Sequence, residues 1–162
     1  MINYDKLHSD NHSITELSNV LLYLFRERTM CDTEACCELF HRFTEKVKDH
    51  IDLVDQNLYS DLLIHEDHEN QKLAKNFMSG SQEIKKIMAA YMKEWCPRQR
   101  ASNQDHKEHA KPGSLDIKEY ERFLHESEEM FNLVLERIQD ETEKLYPQVR
   151  TINSLRKASS YA

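Results

Sequence analysis

Glycine and proline are scarce in this chain, and their scarcity limits the folds that it can adopt. Its 162 residues include two glycines and three prolines, too few to supply the many tight turns of a sheet protein. Charged residues make up 31 % and hydrophobic residues 39 %, a balance typical of helices that keep one face in water. The composition therefore predicts an all-α protein built from long helices.

Apolar residues recur at steps of three or four, the spacing of one buried helix face. Such stripes predict four helices, near residues 10–28, 33–63, 67–95 and 115–150. We expect residues 1–150 to form one domain, an antiparallel up-down-up-down four-helix bundle. A polar connection at 97–114 joins the last two helices, and residues 151–162 form a polar C-terminal tail.

Charge, hydropathy and cysteine spacing exclude several classes of protein. The net charge is −7 without a basic stripe, which argues against a nucleic-acid partner. No apolar run approaches the roughly 18 residues of a membrane span, and residues 1–5 do not resemble a signal peptide. The four cysteines, at 31, 36, 37 and 96, lack the Cys-x-x-Cys spacing of zinc sites and are few for a disulfide scaffold. We therefore expect a cytoplasmic protein with reduced thiols.

Two of the apolar stripes contain an ionisable residue. His50 lies on the stripe of the second predicted helix, and Glu141 lies on that of the fourth. Each precedes a Leu-Tyr pair by one to two turns, and a proline follows the second pair. Two helices that direct ionisable groups into one core can build either a metal site or a buried ion pair.

These features resemble the hemerythrin family, the HHE cation-binding domains. The family's helices carry a histidine, a glutamate four residues later, and Leu-Tyr/Phe-Pro after another turn. Glu141 followed by Leu-Tyr-Pro matches the end of that pattern, and His50 followed by Leu-Tyr matches the start and end of a second copy. The resemblance covers about residues 7–150. It implies a four-helix bundle that binds two non-haem irons and carries, senses or detoxifies oxygen-related ligands.

The resemblance also implies a ligand set, from which this chain departs. Its candidate metal ligands are His50, Glu66 and Glu141, and their expected polar neighbours in one pocket are Asn11, Asn70 and Arg137. Asn11 stands where the first helix would carry a histidine, and Glu66 and Asn70 replace a histidine pair on the third.

Two further positions oppose a metal. Val54 stands in place of a bridging carboxylate, and Arg137 in place of a histidine. A valine cannot ligate, and an arginine is a permanent cation that would instead neutralise Glu141 and Glu66.

Two functions remain open. The first is a non-catalytic hemerythrin-like protein that binds iron and a ligand such as dioxygen through an altered or incomplete site. The alternative is a metal-free regulatory or protein-interaction module on the same bundle, which Val54 and Arg137 favour. An enzyme with His50 as base ranks last, because no nucleophile, phosphate loop or oxyanion motif accompanies that residue.

Overall fold

Every regular element in the computed structural model is helical, over the residues that the model describes, 2–97 and 116–160. The helices are α1 (Tyr4–Phe25), α2 (Glu34–Asn57), α3 (Ser60–Leu63), α4 (His68–Trp95), α5 (Ile117–Asp140) and α6 (Tyr146–Ser160). A π-helical turn, Glu141–Leu145, joins α5 to α6. The all-helical prediction is confirmed, and most of the predicted connection at 97–114 lies outside the described residues.

Side-chain caps set the starts of the long helices. Asn3 accepts a hydrogen bond from the Lys6 amide, so α1 begins six residues earlier than the predicted start at residue 10. The side chain of Thr33 accepts a hydrogen bond from the Cys36 amide and caps α2. Asp116 and Glu119 form a capping box at the start of α5.

The second predicted helix is shorter than expected. It ends at Asn57, whereas the apolar stripe predicts a helix to residue 63. Leu58, the C-cap residue of α2, and Tyr59 are both buried and connect α2 to the short helix α3.

The last helix passes Pro147 through the π-helical turn. Proline lacks the N–H group and its ring meets the carbonyl four residues earlier, so it normally breaks a helix. Here the amide of Tyr146 donates to the carbonyl of Glu141, five residues back, and the wider turn precedes the proline. The chain then continues as α6, in which Ile152 is buried. The described part of the predicted polar C-terminal tail, residues 151–160, is therefore helical.

The four long helices surround a common interior. The helix α1 packs against α2 and α5, and α4 packs against the same two helices. One apolar cluster is rich in aromatic rings, including Phe25, Phe40, Phe43, Phe123 and Phe131. A second cluster contains Leu7, Val54, Leu58, Leu62, Leu145 and Tyr146. The candidate site lies between these clusters.

A disulfide joins Cys37, in the first turn of α2, to Cys96, which follows α4. The prediction that all four cysteines are reduced is therefore wrong for this pair, whereas Cys31 and Cys36 are free and buried. The two bonded residues are 59 apart in sequence but their Cα atoms are 5.5 Å apart, a proximity that cysteine spacing does not reveal.

Burial raises the pKa of Cys31 to about 11, so this thiol is a poor nucleophile at neutral pH.

Within the described ranges, none of the helices combines the length and the apolar character that a membrane span requires.

Candidate functional site

Buried polar residues form a layer across the interior, between the two apolar clusters. On α1, Asn11 lies between Leu7 of one cluster and Ile14 of the other. Corresponding positions are held by His50 on α2, Ser81 on α4, Arg137 on α5 and Glu141 at the start of the π-helical turn. Each of the four long helices therefore contributes at least one residue to this polar layer. Buried polar groups require partners, and hydrogen bonds within the layer supply most of them.

Glu141 is at the centre of the polar layer and is 0 % exposed. Its Oε1 lies 2.6 Å from His50 Nε2 and accepts a hydrogen bond of 3.1 Å from the hydroxyl of Tyr146. Its Oε2 accepts a hydrogen bond of 3.1 Å from Arg137 Nε. Each carboxylate oxygen therefore already has a protein partner, and the hydrogen bond from the arginine is charge-assisted.

Arg137 is held as firmly as the carboxylate. Its Nη1 donates to the carbonyl of Phe77 at 2.7 Å. Its Nη2 donates to the hydroxyls of Tyr59 at 3.0 Å and Ser81 at 2.9 Å. The guanidinium carbon also lies 4.7 Å from the centre of the Phe77 ring, a cation–π geometry. The planar, always charged fork of arginine suits several fixed acceptors at once.

Gly80 makes room for this guanidinium on α4. A Cβ atom added at this glycine would lie 3.3 Å from Arg137 Nη1, which is tighter than ordinary contact. The glycine in the middle of a long helix, which costs about 1 kcal/mol relative to alanine, thus permits a close approach. A glycine at this position in a helix is compatible with a kink or with a close approach, and the structure identifies the approaching group as Arg137.

His50 lies between the central Glu141 and Asp10, which is nearer to the surface. Its Nδ1 is buried without a hydrogen-bond partner among the described residues, and Asp10 Oδ2 lies 3.6 Å away. Asp10 is only partly buried and pairs with Lys6 on the same helix. A series of alternating acidic and basic groups therefore runs from the surface to the centre, through Asp10, His50, Glu141 and Arg137.

Tyr146 joins α1 to the central carboxylate. Its hydroxyl donates to Glu141 and accepts a hydrogen bond of 3.2 Å from Asn11 Nδ2. Burial, and next the negative charge of Glu141, raise the pKa of Tyr146 well above its ordinary value. The phenol therefore stays protonated and remains a donor to the carboxylate at neutral pH.

Tyr146→Phe is expected to lower the free energy of unfolding by about 1–3 kcal/mol near pH 7, because it leaves Glu141 short of a donor and Asn11 short of an acceptor. Above pH 10.0, the ordinary tyrosine pKa, ionisation of Tyr146 in the unfolded chain destabilises the parent but not the variant. The difference in unfolding free energy between the parent and the variant should therefore be smaller above pH 10.0 than at pH 7. Chemical denaturation at pH 7 and above pH 10.0 tests this, with the exposed Tyr23→Phe as control. An unchanged stability at pH 7 would contradict the assigned hydrogen bonds.

Four of the six residues that sequence places in one pocket lie together, namely Asn11, His50, Arg137 and Glu141. Glu66 does not join them. It is exposed in the loop before α4, because Asp67 caps that helix and α4 begins only at His68. Glu66 therefore lies outside the pocket in which the sequence places it.

Asn70 is buried but belongs to a different set of contacts. Its side chain lies 3.0 Å from His65 Nδ1 and accepts a hydrogen bond of 2.7 Å from Gln148. These contacts hold the start of α4 against α6. Sequence reasoning also missed Tyr59, Ser81 and Tyr146 as members of the polar layer. Tyr59 and Tyr146 are the aromatic residues of the two Leu-Tyr pairs, so the repetition of this pair in the sequence could have indicated that both tyrosines contact the polar layer.

The donor set does not fit a two-iron centre. Such a site needs about five protein nitrogens and oxygens, including a bridging carboxylate, whereas the polar layer offers His50 and Glu141. Val54, which stands in place of the bridging carboxylate, is buried and apolar, and the guanidinium of Arg137 already lies against the carboxylate of Glu141. Across residues 2–97 and 116–160, no three His, Cys, Asp or Glu side chains are grouped so that they could hold a metal ion.

Comparisons with protein-family models, with curated proteins and with solved structures give no match for this chain. The residues of the chain itself therefore carry any assignment of family or function.

Proposed function

We propose that this chain is a hemerythrin-like four-helix bundle that acts as a metal-free regulatory or protein-interaction module. In this proposal the long helices follow an antiparallel up-down-up-down course. The polar layer, a hydrogen-bonded network that includes His50, Glu141 and Arg137, takes the place of a metal centre. The main support is that both oxygens of the buried Glu141 are engaged by protein donors.

The position of the polar layer supports the family part of this proposal. Ionisable groups from two helices, each before a Leu-Tyr pair, approach one another at the middle of the bundle. The family resemblance rests on these residues, and their distance of 2.6 Å agrees with one shared internal site. The packing of α1 and α4 against both α2 and α5 is also what a four-helix bundle requires.

Electrostatics support the metal-free part. A divalent cation at Glu141 would lie close to the guanidinium of Arg137, which cannot lose its charge. Their repulsion in a buried site would be large, since the interior screens charges poorly. The arginine instead supplies the positive charge that a buried carboxylate needs. The absence of a ligand at Val54 and the presence of Arg137 therefore both disfavour a metal ion in the polar layer.

Iron binding with an oxygen-related ligand is the second candidate, and one observation favours it. His50 Nδ1 and Asn11 Oδ1 are buried without hydrogen-bond partners in the described part of the chain. Such atoms commonly bind a water molecule or another small group. Iron in this place would have to compete with Arg137 for Glu141, and it would have few other protein ligands.

Metal analysis separates the two functions. Protein purified without a histidine tag is expected to contain only substoichiometric metal, and neither a chelator nor anaerobic ferrous iron should change its Tm. A ligand present at 100 times its Kd would stabilise the fold by about 2.7 kcal/mol, a readily measured change. Stoichiometric iron together with a lower Tm in chelator would overturn the metal-free proposal.

A further inference from the structure

An apolar groove lies on the outer side of the bundle, between α2 and α4. It encloses about 600 Å³, within the range of roughly 300–1,000 Å³ that is typical of binding sites. Its floor includes Met88, Ala89 and Met92 of α4. Methionine is flexible and polarisable, and it is common at surfaces that accept apolar side chains. The floor therefore suits an apolar ligand surface and not a purely polar one.

Three lysines border this floor. Lys48 approaches it from α2, and Lys85 and Lys93 approach it from α4. Lys85 forms an ion pair with Asp52, and neither Lys48 nor Lys93 has an ion pair to any described residue. The groove is thus locally basic on a chain whose net charge is −7. A ligand with negative charge would be attracted here and repelled elsewhere on the surface.

The placement of the lysines distinguishes between two kinds of anionic ligand. Lys48 and Lys93, which have no ion pair to a described residue, stand on the two different helices that form the groove. A fatty acid carries one carboxylate and could pair with only one of these two lysines. An acidic amphipathic helix presents an apolar stripe bordered by carboxylates on both sides, which can pair with both lysines.

We infer that the groove between α2 and α4 docks an acidic amphipathic helix of a protein partner. This inference rests on the proposed function as an interaction module and names its surface and the chemistry of its partner. Apolar side chains of the partner helix would fill the methionine-lined floor. Its glutamates or aspartates would pair with Lys48 and Lys93. Binding would require no change in the buried polar layer, because none of its residues lines the groove.

A synthetic helical peptide tests the inference on the full chain. The probe carries leucines at positions i, i+3, i+4 and i+7 and glutamates beside them, and fluorescence anisotropy measures its binding. The reversal variant Lys48→Glu with Lys93→Glu is expected to bind about tenfold more weakly or worse, because like charges then face each other. The control, Lys46→Glu with Lys86→Glu, has the same net charge on the same two helices. Its lysines are exposed and do not line the groove, so its affinity should stay close to that of the parent.

Several results would overturn the inference. They are no binding of the acidic peptide to the parent, equal weakening in the two lysine variants, equal binding of a basic peptide with the same leucines, or binding of oleate without binding of the peptide. Circular dichroism of each variant establishes that it is folded. Metal content reports on the proposed function independently. Bound iron would overturn the metal-free assignment while leaving the groove result intact, and failure of the peptide would leave the buried network unaffected.

Discussion

Arg137→Leu is expected to lower the free energy of unfolding by about 3–5 kcal/mol, the usual result of removing one partner from a buried charge pair. The substitution leaves Glu141 buried without its cation, and it also removes donors from the Phe77 carbonyl and from the hydroxyls of Tyr59 and Ser81. Urea denaturation monitored by circular dichroism measures the change. The exposed Arg42, which pairs with Glu38, provides a control, since Arg42→Leu should cost no more than about 1 kcal/mol.

A double variant separates the stranded charge from lost packing. Arg137→Met with Glu141→Leu removes both charges and keeps apolar volume, so it should be less destabilised than Arg137→Leu alone. Denaturation of the parent and of these variants with and without a chelator tests whether a bound metal contributes to stability. A large chelator effect on the parent, together with little loss of stability in Arg137→Leu, would show that a metal and not Arg137 balances the buried carboxylate.

Loss of the disulfide between Cys37 and Cys96 is the second large effect. A bond that closes a loop of 59 residues stabilises a fold by about 4 kcal/mol, since it restricts the unfolded chain. Cys37→Ser should therefore lower the free energy of unfolding by about this amount. A reducing agent should have a similar effect on the parent.

The variant serves as the control for the reductant. Because Cys37→Ser has no disulfide to lose, a reducing agent should not change its stability further. Thiol titration of the unreduced, denatured parent should detect two free cysteines, Cys31 and Cys36. Four titratable thiols, with no effect of reductant on the parent, would show that Cys37 and Cys96 are not bonded in solution.

Local patterns in the sequence determine the helices and much of the polar layer. The scarcity of glycine and proline excludes frequent turns, and a period near 3.6 residues places His50, Arg137 and Glu141 on or beside buried faces. These properties depend on residues within a few turns of one another, so they can be read without knowing the neighbouring helices. The same reasoning fails for Glu66, because the apolar period does not show that the helix starts only after the Asp67 cap.

Contacts between helices are decided only by the tertiary structure. Which group faces Glu141 depends on the rotation of α2 against α5, and this brings His50 Nε2 to 2.6 Å from the carboxylate. Ser81 enters the polar layer because Gly80 lets Arg137 approach α4. Cys37 meets Cys96 because the start of α2 lies beside the end of α4. The residues of each contacting pair are at least 56 positions apart in sequence. The period of side chains along one helix carries no information about the partner that packing places opposite it.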